Sequence, residues 1–432
     1  MRRRRFLHQL GSAALGTALA GCARRPRQRR AGEPVTLVFK HAKHPRYEAV
    51  SEVIQQFEVQ SPGIHIREEL LPASTDEQHQ FYVINLAGGA ADFDLIDMDV
   101  IWVPEFARAG WLAEITPHLD DAVLAPLHRG ALEADWLDGR LWGVPWFVDA
   151  GMLYYRADLL KRHGFAPPAT FPELRDQARF ILDREHDPRL AGYVWQGMQY
   201  EGLVCTALEM IRGNGGAVLR DATTPALADA ATVEALEFMD GLIRRDAVSP
   251  PLVSTLNEEA SRHVFQSGRA VFMRNWPYAW RLVNQTDSPV AGRVGMTLVP
   301  HFPGHASKPT LGGFHLGVNA RTPFLEEAVK FLRFLVGYEV QKQILLHVGV
   351  LAAHTGIYSD PEVRAAMPWL PHLEPALERV VARPVTPYYL MISQILQPEL
   401  SAIVSGIRTP RRAMEIAAQQ VRHLLAPAEA GL

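Results

Sequence analysis

Several short stretches of this 432-residue chain set flat aromatic rings beside isolated charged side chains. In Phe272-Met273-Arg274-Asn275-Trp276-Pro277-Tyr278-Ala279-Trp280, a strand ending at Met273, with Asn275 as N-cap and Pro277 in the first helical turn, is the expected local structure. That places Trp276 and Tyr278 at the mouth of a strand-to-helix turn, where α/β sheets bind ligands. Ring faces there suit the C–H faces of sugars, and the indole N–H and phenol O–H can also hydrogen-bond. The same rings would also serve as core. Asp149 stands alone in the apolar run from Trp142 to Gly151, which also carries Phe147. If buried, its carboxylate needs donors, which either sugar hydroxyls or the backbone can supply. Asp97-Met98-Asp99 ends a third expected strand; Asp99 suits a hydroxyl or a helix cap, while a metal site would need more oxygen ligands than this. In Arg383-Pro384-Val385-Thr386-Pro387-Tyr388-Tyr389, a guanidinium on a rigid aromatic loop can span two acceptors, or the loop is plain surface.

Catalytic patterns are missing: His-Glu-x-x-His, Gly-x-Ser-x-Gly, a phosphate-binding glycine loop and a dinucleotide fingerprint do not occur. The 17 histidines lack ligand spacing, so neither metal nor cofactor is expected. A secreted glycoside hydrolase, with Asp99 and Asp149 as its carboxylate pair, is the enzymatic alternative.

These residues need a scaffold, and the periodicity supplies one. Strands are expected at 35–40, 64–70 and 93–98, with amphipathic helices at 47–57 and 76–86 between them, the pattern of an α/β lobe with a largely parallel sheet. Helices follow at 171–184, 202–212, 230–245 and 258–266, strands at 269–273, 293–299 and 314–318, and helices at 325–336 and 339–348. Proline- and glycine-bearing joints near 144–145, 308–309 and 349–351 suggest that the chain passes between two lobes more than once.

The N-terminal segment concerns location. Arg3-Arg4-Arg5-Phe6-Leu7, a short apolar run and Leu19-Ala20-Gly21-Cys22 resemble a twin-arginine export signal over 1–21 ending in a lipobox, with Cys22 diacylated. Residues 22–33, rich in arginine, read as a disordered tether. The protein is then expected outside the cytoplasm, held at a membrane by lipid. Without the four arginines ahead of Cys22 the net charge falls from −3 to −7, which argues against nucleic acid as a partner. Only Cys205 then remains, so no disulfide is expected and the fold must rest on a large apolar core.

Taken in order, the stretches around Asp97–Trp102, Val148–Arg156, Met273–Trp280, Lys308–Phe314 and Arg383–Tyr389 resemble the extracellular solute-binding proteins of ABC sugar importers, and more narrowly the trehalose/maltose-binding lipoproteins. The resemblance implies a two-lobed α/β periplasmic-binding fold, each lobe a mostly parallel sheet flanked by helices, with several chain crossings at the hinge. It implies a monomer, not an enzyme, that binds a di- or oligosaccharide and delivers it to the transmembrane subunits of a permease. The lobes are expected at 34–144 plus 309–350 and at 145–308 plus 351–432. By the same resemblance Asp99, Asp149 and Arg383 would bond hydroxyls, while Phe147, Trp276, Tyr278, Gly313 and Phe314 would form stacking walls. Phe147 and Phe314 stand where relatives often carry Tyr and Trp. Lys43 and His44 after the first strand, and His79 and Gln80 later, are further candidates for ligand binding, although they too depart from the trehalose binders' pattern. A basic first loop keeps an anionic glycoside or a glycerol phosphodiester open as the solute.

Overall fold

The computed structural model describes residues 32–367 and 369–429; the expected signal, Cys22 and the tether up to residue 31 lie outside the described residues. β1 (Val35–Ala42), β2 (Ile64–Leu71) and β3 (Leu95–Asp99) pair in parallel in the order β2–β1–β3. β2 is the edge strand and alternates between buried and exposed, whereas β3 is buried throughout because helices cover both faces of the sheet. The crossover helix Val50–Gln60 buries Val50, Val53, Ile54 and Phe57. Those four side chains contribute about 6–12 kcal/mol as an upper estimate.

A hairpin of β4 (Trp136–Leu137) and β5 (Arg140–Leu141) precedes β6 (Val144–Ala150). After Gly151 the chain leaves for a second sheet built from β7 (Met152–Arg156), β8 (Ala191–Val194), β9 (Ala270–Asn275) and β10 (Val294–Leu298), ordered β10–β7–β9–β8. It then returns as β11 (Leu311–Val318) between β3 and β6, and β12 (Leu351–Ala352) closes the far edge of the first sheet. The helix Leu370–Arg379 packs on both β6 and β10, and the helices Tyr389–Val404 and Pro410–Glu429 cover the second lobe.

Two expectations are corrected. Residues 145–150 and 351–352, assigned above to the second lobe, are strands of the first sheet, so the first crossing falls at Gly151. The sheets are also mixed rather than mostly parallel. β11 runs antiparallel to β3 and β6, and β7 antiparallel to β9 and β10, because each strand beside a crossing enters its sheet from the opposite lobe. Cys205 is a buried free thiol, and no helix among the described residues is long and apolar enough to cross a membrane.

Candidate functional site

The pairing of β3, β11 and β6 builds one wall of a cleft. Phe314 lies opposite Asp99 on β3, and Gly312 lies opposite Asp149 on β6, so the two carboxylates flank the β11 backbone. The register shifts just after Phe314, and Gly313 has φ +129, where a side chain would place Cβ 2.4 Å from the Phe147 carbonyl oxygen. A Cβ on Gly312 would meet the Trp276 ring at 3.0 Å, so bare backbone is what lets the second lobe approach. Phe147 backs Phe314, with ring centroids 5.5 Å apart.

The second lobe supplies the opposite wall. Asn275 is the last residue of β9 and not a helix N-cap, since the next helix begins at Ala279; its Oδ1 instead accepts the Trp276 N–H at 2.8 Å. Tyr154 Oη donates to the Trp276 carbonyl at 2.8 Å, which fixes the turn. The Arg274 guanidinium lies 3.9 Å from the centre of the Trp276 ring and covers it from below. Trp276 Nε1 points to Glu258 Oε1 at 3.4 Å, while Tyr278 Oη donates to Glu259 at 2.7 Å.

Between the walls lies an empty volume of about 840 Å³, its open mouth included. The lobes touch across it: His44 meets the Tyr278 ring edge-on at 5.0 Å, and Arg281 of the second lobe bonds Glu48 of the first at 2.6 Å. Arg46 is the cation at the base. Its guanidinium lies 4.7 Å from the Phe314 ring centre, and its Nη1 is 3.9 Å from Asp149 Oδ2, too long for a hydrogen bond. Asp149 Oδ1 is buried and has no hydrogen-bond partner among the described residues. Burial raises the Asp149 carboxyl to about 6, with Arg46 and Arg274 pulling the other way. His44 is pushed down to about 2 by burial and by Arg46, so it is neutral in the cleft.

A pH dependence follows. A solute that donated hydroxyls to Asp149 would favour the ionised carboxylate, so the group's pKa would drop on binding and a proton would be released. Affinity for a neutral polyol is therefore expected to rise with pH between 5 and 6.5 and then level off, by up to about tenfold per pH unit. Calorimetry in a pH series checks this, and Asp149→Asn is expected to flatten the slope.

Arg383 is already committed to protein carboxylates. Its Nη2 bonds Asp99 at 2.6 Å and its Nη1 bonds Glu201 at 3.0 Å. Glu201 also accepts from Tyr389 Oη at 2.7 Å and from Ser393. The two acceptors that the sequence suggested for this guanidinium are thus one carboxylate from each lobe.

The cleft brings together His44, Asp99, Asp149, Trp276, Gly313, Phe314 and Arg383. Phe147 and Tyr278 form its second layer, each within 6 Å of the Arg46 guanidinium. The other three lie elsewhere. Lys43 is exposed, its N–H bonded to the Leu71 carbonyl; His79 bonds Glu105 and stacks on Phe106; Gln80 is exposed. On the helix Thr75–Ala87 it is Gln78 that turns inward, to the Pro72 and Ala73 carbonyls. Sequence reasoning missed Arg46, Glu201, Glu258 and Glu259. The glutamates read as first-turn acids of helices, and the only signal for Arg46 was its place beside Pro45 in the loop after β1.

Two lobes closing over a ring-lined, carboxylate-bearing cleft, with chain crossings behind it, define a solute-binding protein of the two-lobed class. The description of the family "Bacterial extracellular solute-binding protein" matches residues 41–342, and the chain belongs to that family. Among curated proteins, a "Probable ABC transporter-binding protein" of Deinococcus radiodurans is 34% identical over 339 residues, 78% of this chain and 80% of that one. Among solved structures, the maltose-bound MalE3 of T. maritima superposes with a TM-score of 0.86 at 35% identity, over 90% of this chain and 100% of that one. A solute-binding protein of Thermotoga lettingae bound with α-D-tagatose gives 0.81 at 25% identity, over 90% and 100%.

Proposed function

We propose that this chain is the substrate-binding component of an ABC importer and takes a neutral di- or oligosaccharide of the maltose or trehalose kind between its lobes. The observation that carries the reading is the pairing, in one cleft, of a tryptophan face with a buried carboxylate whose Oδ1 is unpartnered among the described residues. The ring suits the apolar face of a pyranose, and Asp149 suits a hydroxyl donor. Charge favours a neutral solute over an anionic one. Five carboxylates line the cleft against Arg46 and Arg383, and Arg383 is held by two of them. The maltose-bound relative at 35% identity supports the same class.

Affinity would arise because the solute touches both lobes and so binds the closed state more tightly than the open one. Asp99, Asp149, Trp276 and Phe314 would touch it, and the closed form would then meet the permease. Cys22 would hold the mature monomer to the membrane through lipid, so Cys22→Ala is expected to release it into the soluble fraction.

Heat-shift and calorimetric titrations with maltose, trehalose, maltotriose and a glycerol phosphodiester test the reading. Stabilisation by at least one of the sugars is expected. A shift with the phosphodiester and none with any sugar would overturn the assignment, and cleavage of a sugar lost in Asp149→Asn would turn it to a hydrolase.

A further inference from the structure

One face of the helix Glu201–Gly213 meets the chain crossings as well as the cleft. Glu201, Cys205, Glu209 and Arg212 recur at spacings of four, four and three and so form a single stripe. Glu201, at the cleft end, holds Arg383. The Cys205 carbonyl accepts Thr310 Oγ1 at 3.2 Å, and Glu209 Oε1 accepts the Thr310 N–H at 3.2 Å, at the point where the chain re-enters the first sheet. The same Glu209 receives Arg274 Nη2 at 2.6 Å and Nε at 2.9 Å, the guanidinium under Trp276. It also fills the space beside Gly151, where a Cβ would come within 1.8 Å of Oε1. Arg212 donates to the Val381 and Ala382 carbonyls at 3.0 and 2.6 Å, directly ahead of Arg383. Val381 itself bridges Thr310, taking the Leu311 N–H at 3.0 Å and giving its own N–H to Pro309.

The crossings at Gly151 and Thr310, and the Val381 segment between the helices Leu370–Arg379 and Tyr389–Val404 that bridges Thr310, thus lean on two side chains of one helix, and neither Glu209 nor Arg212 lines the cleft. We propose that Glu209 and Arg212 are positioning residues that hold the crossings in the arrangement of the closed cleft, and so set the open–closed balance, and through it the solute affinity, without touching solute. Glu209 and Arg274 form a nearly fully buried ion pair, and such a pair keeps one geometry because a displaced charge would be left unpaired. Arg212 ties its segment through two carbonyls from a planar fork, a geometry that a single ammonium cannot reproduce.

The test uses Arg212→Met, Arg212→Lys and Glu209→Gln in the full-length chain, read by small-angle scattering without solute and by maltose calorimetry. Arg212→Met is expected to enlarge the solute-free radius of gyration and to weaken maltose binding about tenfold, as a tenfold fall in the closed population requires. Arg212→Lys is expected to restore part of both. Glu209→Gln, which keeps the shape and one acceptor but strands the buried Arg274 charge, is expected to move both readouts in the same direction as Arg212→Met, and Arg212→Lys, the mildest of the three, serves if either of the others does not fold. A folded variant with unchanged scattering and unchanged affinity would overturn the proposal, because a purely structural role lowers the melting temperature alone. Scattering without solute reads the hinge whatever the solute is, so failure of the sugar assignment would not be mistaken for failure here.

Discussion

Trp276→Ala is expected to weaken binding of the proposed sugar ligand by roughly 30- to 1,000-fold, or about 2–4 kcal/mol, the range of an aromatic anchor in a desolvated pocket. The size follows from the geometry. Arg274 covers one face of the ring at 3.9 Å and the backbone of Gly312 closes on its edge, so the ring's free surface is the part that lines the cleft. Truncation removes that surface and also uncovers a guanidinium whose charge stays paired with Glu209. Because the Arg274–Glu209 pair survives, the lobe is expected to remain folded, with circular dichroism unchanged. Trp276→Phe keeps a smaller ring and is expected to lose only about tenfold, since stacking beyond area burial is worth about 0.5–1.5 kcal/mol. Calorimetry on the two variants decides the point, and equal affinity in wild type and Trp276→Ala would remove the ring from the site.

Local signals revealed much of the scaffold and only part of the cleft. The first three strands and the helices between them were legible because apolar periodicity is a short-range property, and Ser61-Pro62-Gly63 stops the helix Val50–Gln60 where the pattern fades. The direction of β11 was not legible. Nothing within 311–318 records that the strand arrives from the other lobe and slots antiparallel between β3 and β6. The same limit hid the first crossing: Val144-Pro145 looks like a joint, yet the strand runs on to Ala150 because it pairs with β11 along its length, as far as Leu311 opposite Ala150.

In the cleft, Asp99 and Asp149 stood out as charges in unlike surroundings and Phe314 only through the family resemblance, and strand pairing does bring them together. Arg46 could not be weighed, since its partners Phe147, Tyr278 and Phe314 come from three distant segments. His79 and Gln80 were misplaced by a helical rotation, each position turning about 100° from the last. Gln78 takes the inward direction, and His79 packs on Trp102 and Phe106 beside the cleft wall.

Arg383→Met is expected to cost about 3–5 kcal/mol of stability, the range found when one partner of a buried ion pair is removed. Arg383 is 4% exposed, and its loss leaves Asp99 and Glu201 facing each other across the lobes with no cation between them. Burial already raises the Glu201 carboxyl, with Arg383 pulling it back, so in the variant Glu201 should take up a proton more readily. The sign is then fixed: a carboxyl whose folded pKa rises is favoured by low pH, so the stability deficit of Arg383→Met should shrink as pH falls towards 5 and widen towards 8. Adding Asp99→Asn and Glu201→Gln removes the stranded charges and is expected to recover most of the melting temperature. By the role proposed for Asp99, solute affinity should be low in that triple variant, because the Asp99→Asn side chain would present no charged acceptor to the cleft. A triple variant that regained both stability and affinity would show that the cluster is only a structural clasp and that the solute is held by Asp149 and Trp276 without it.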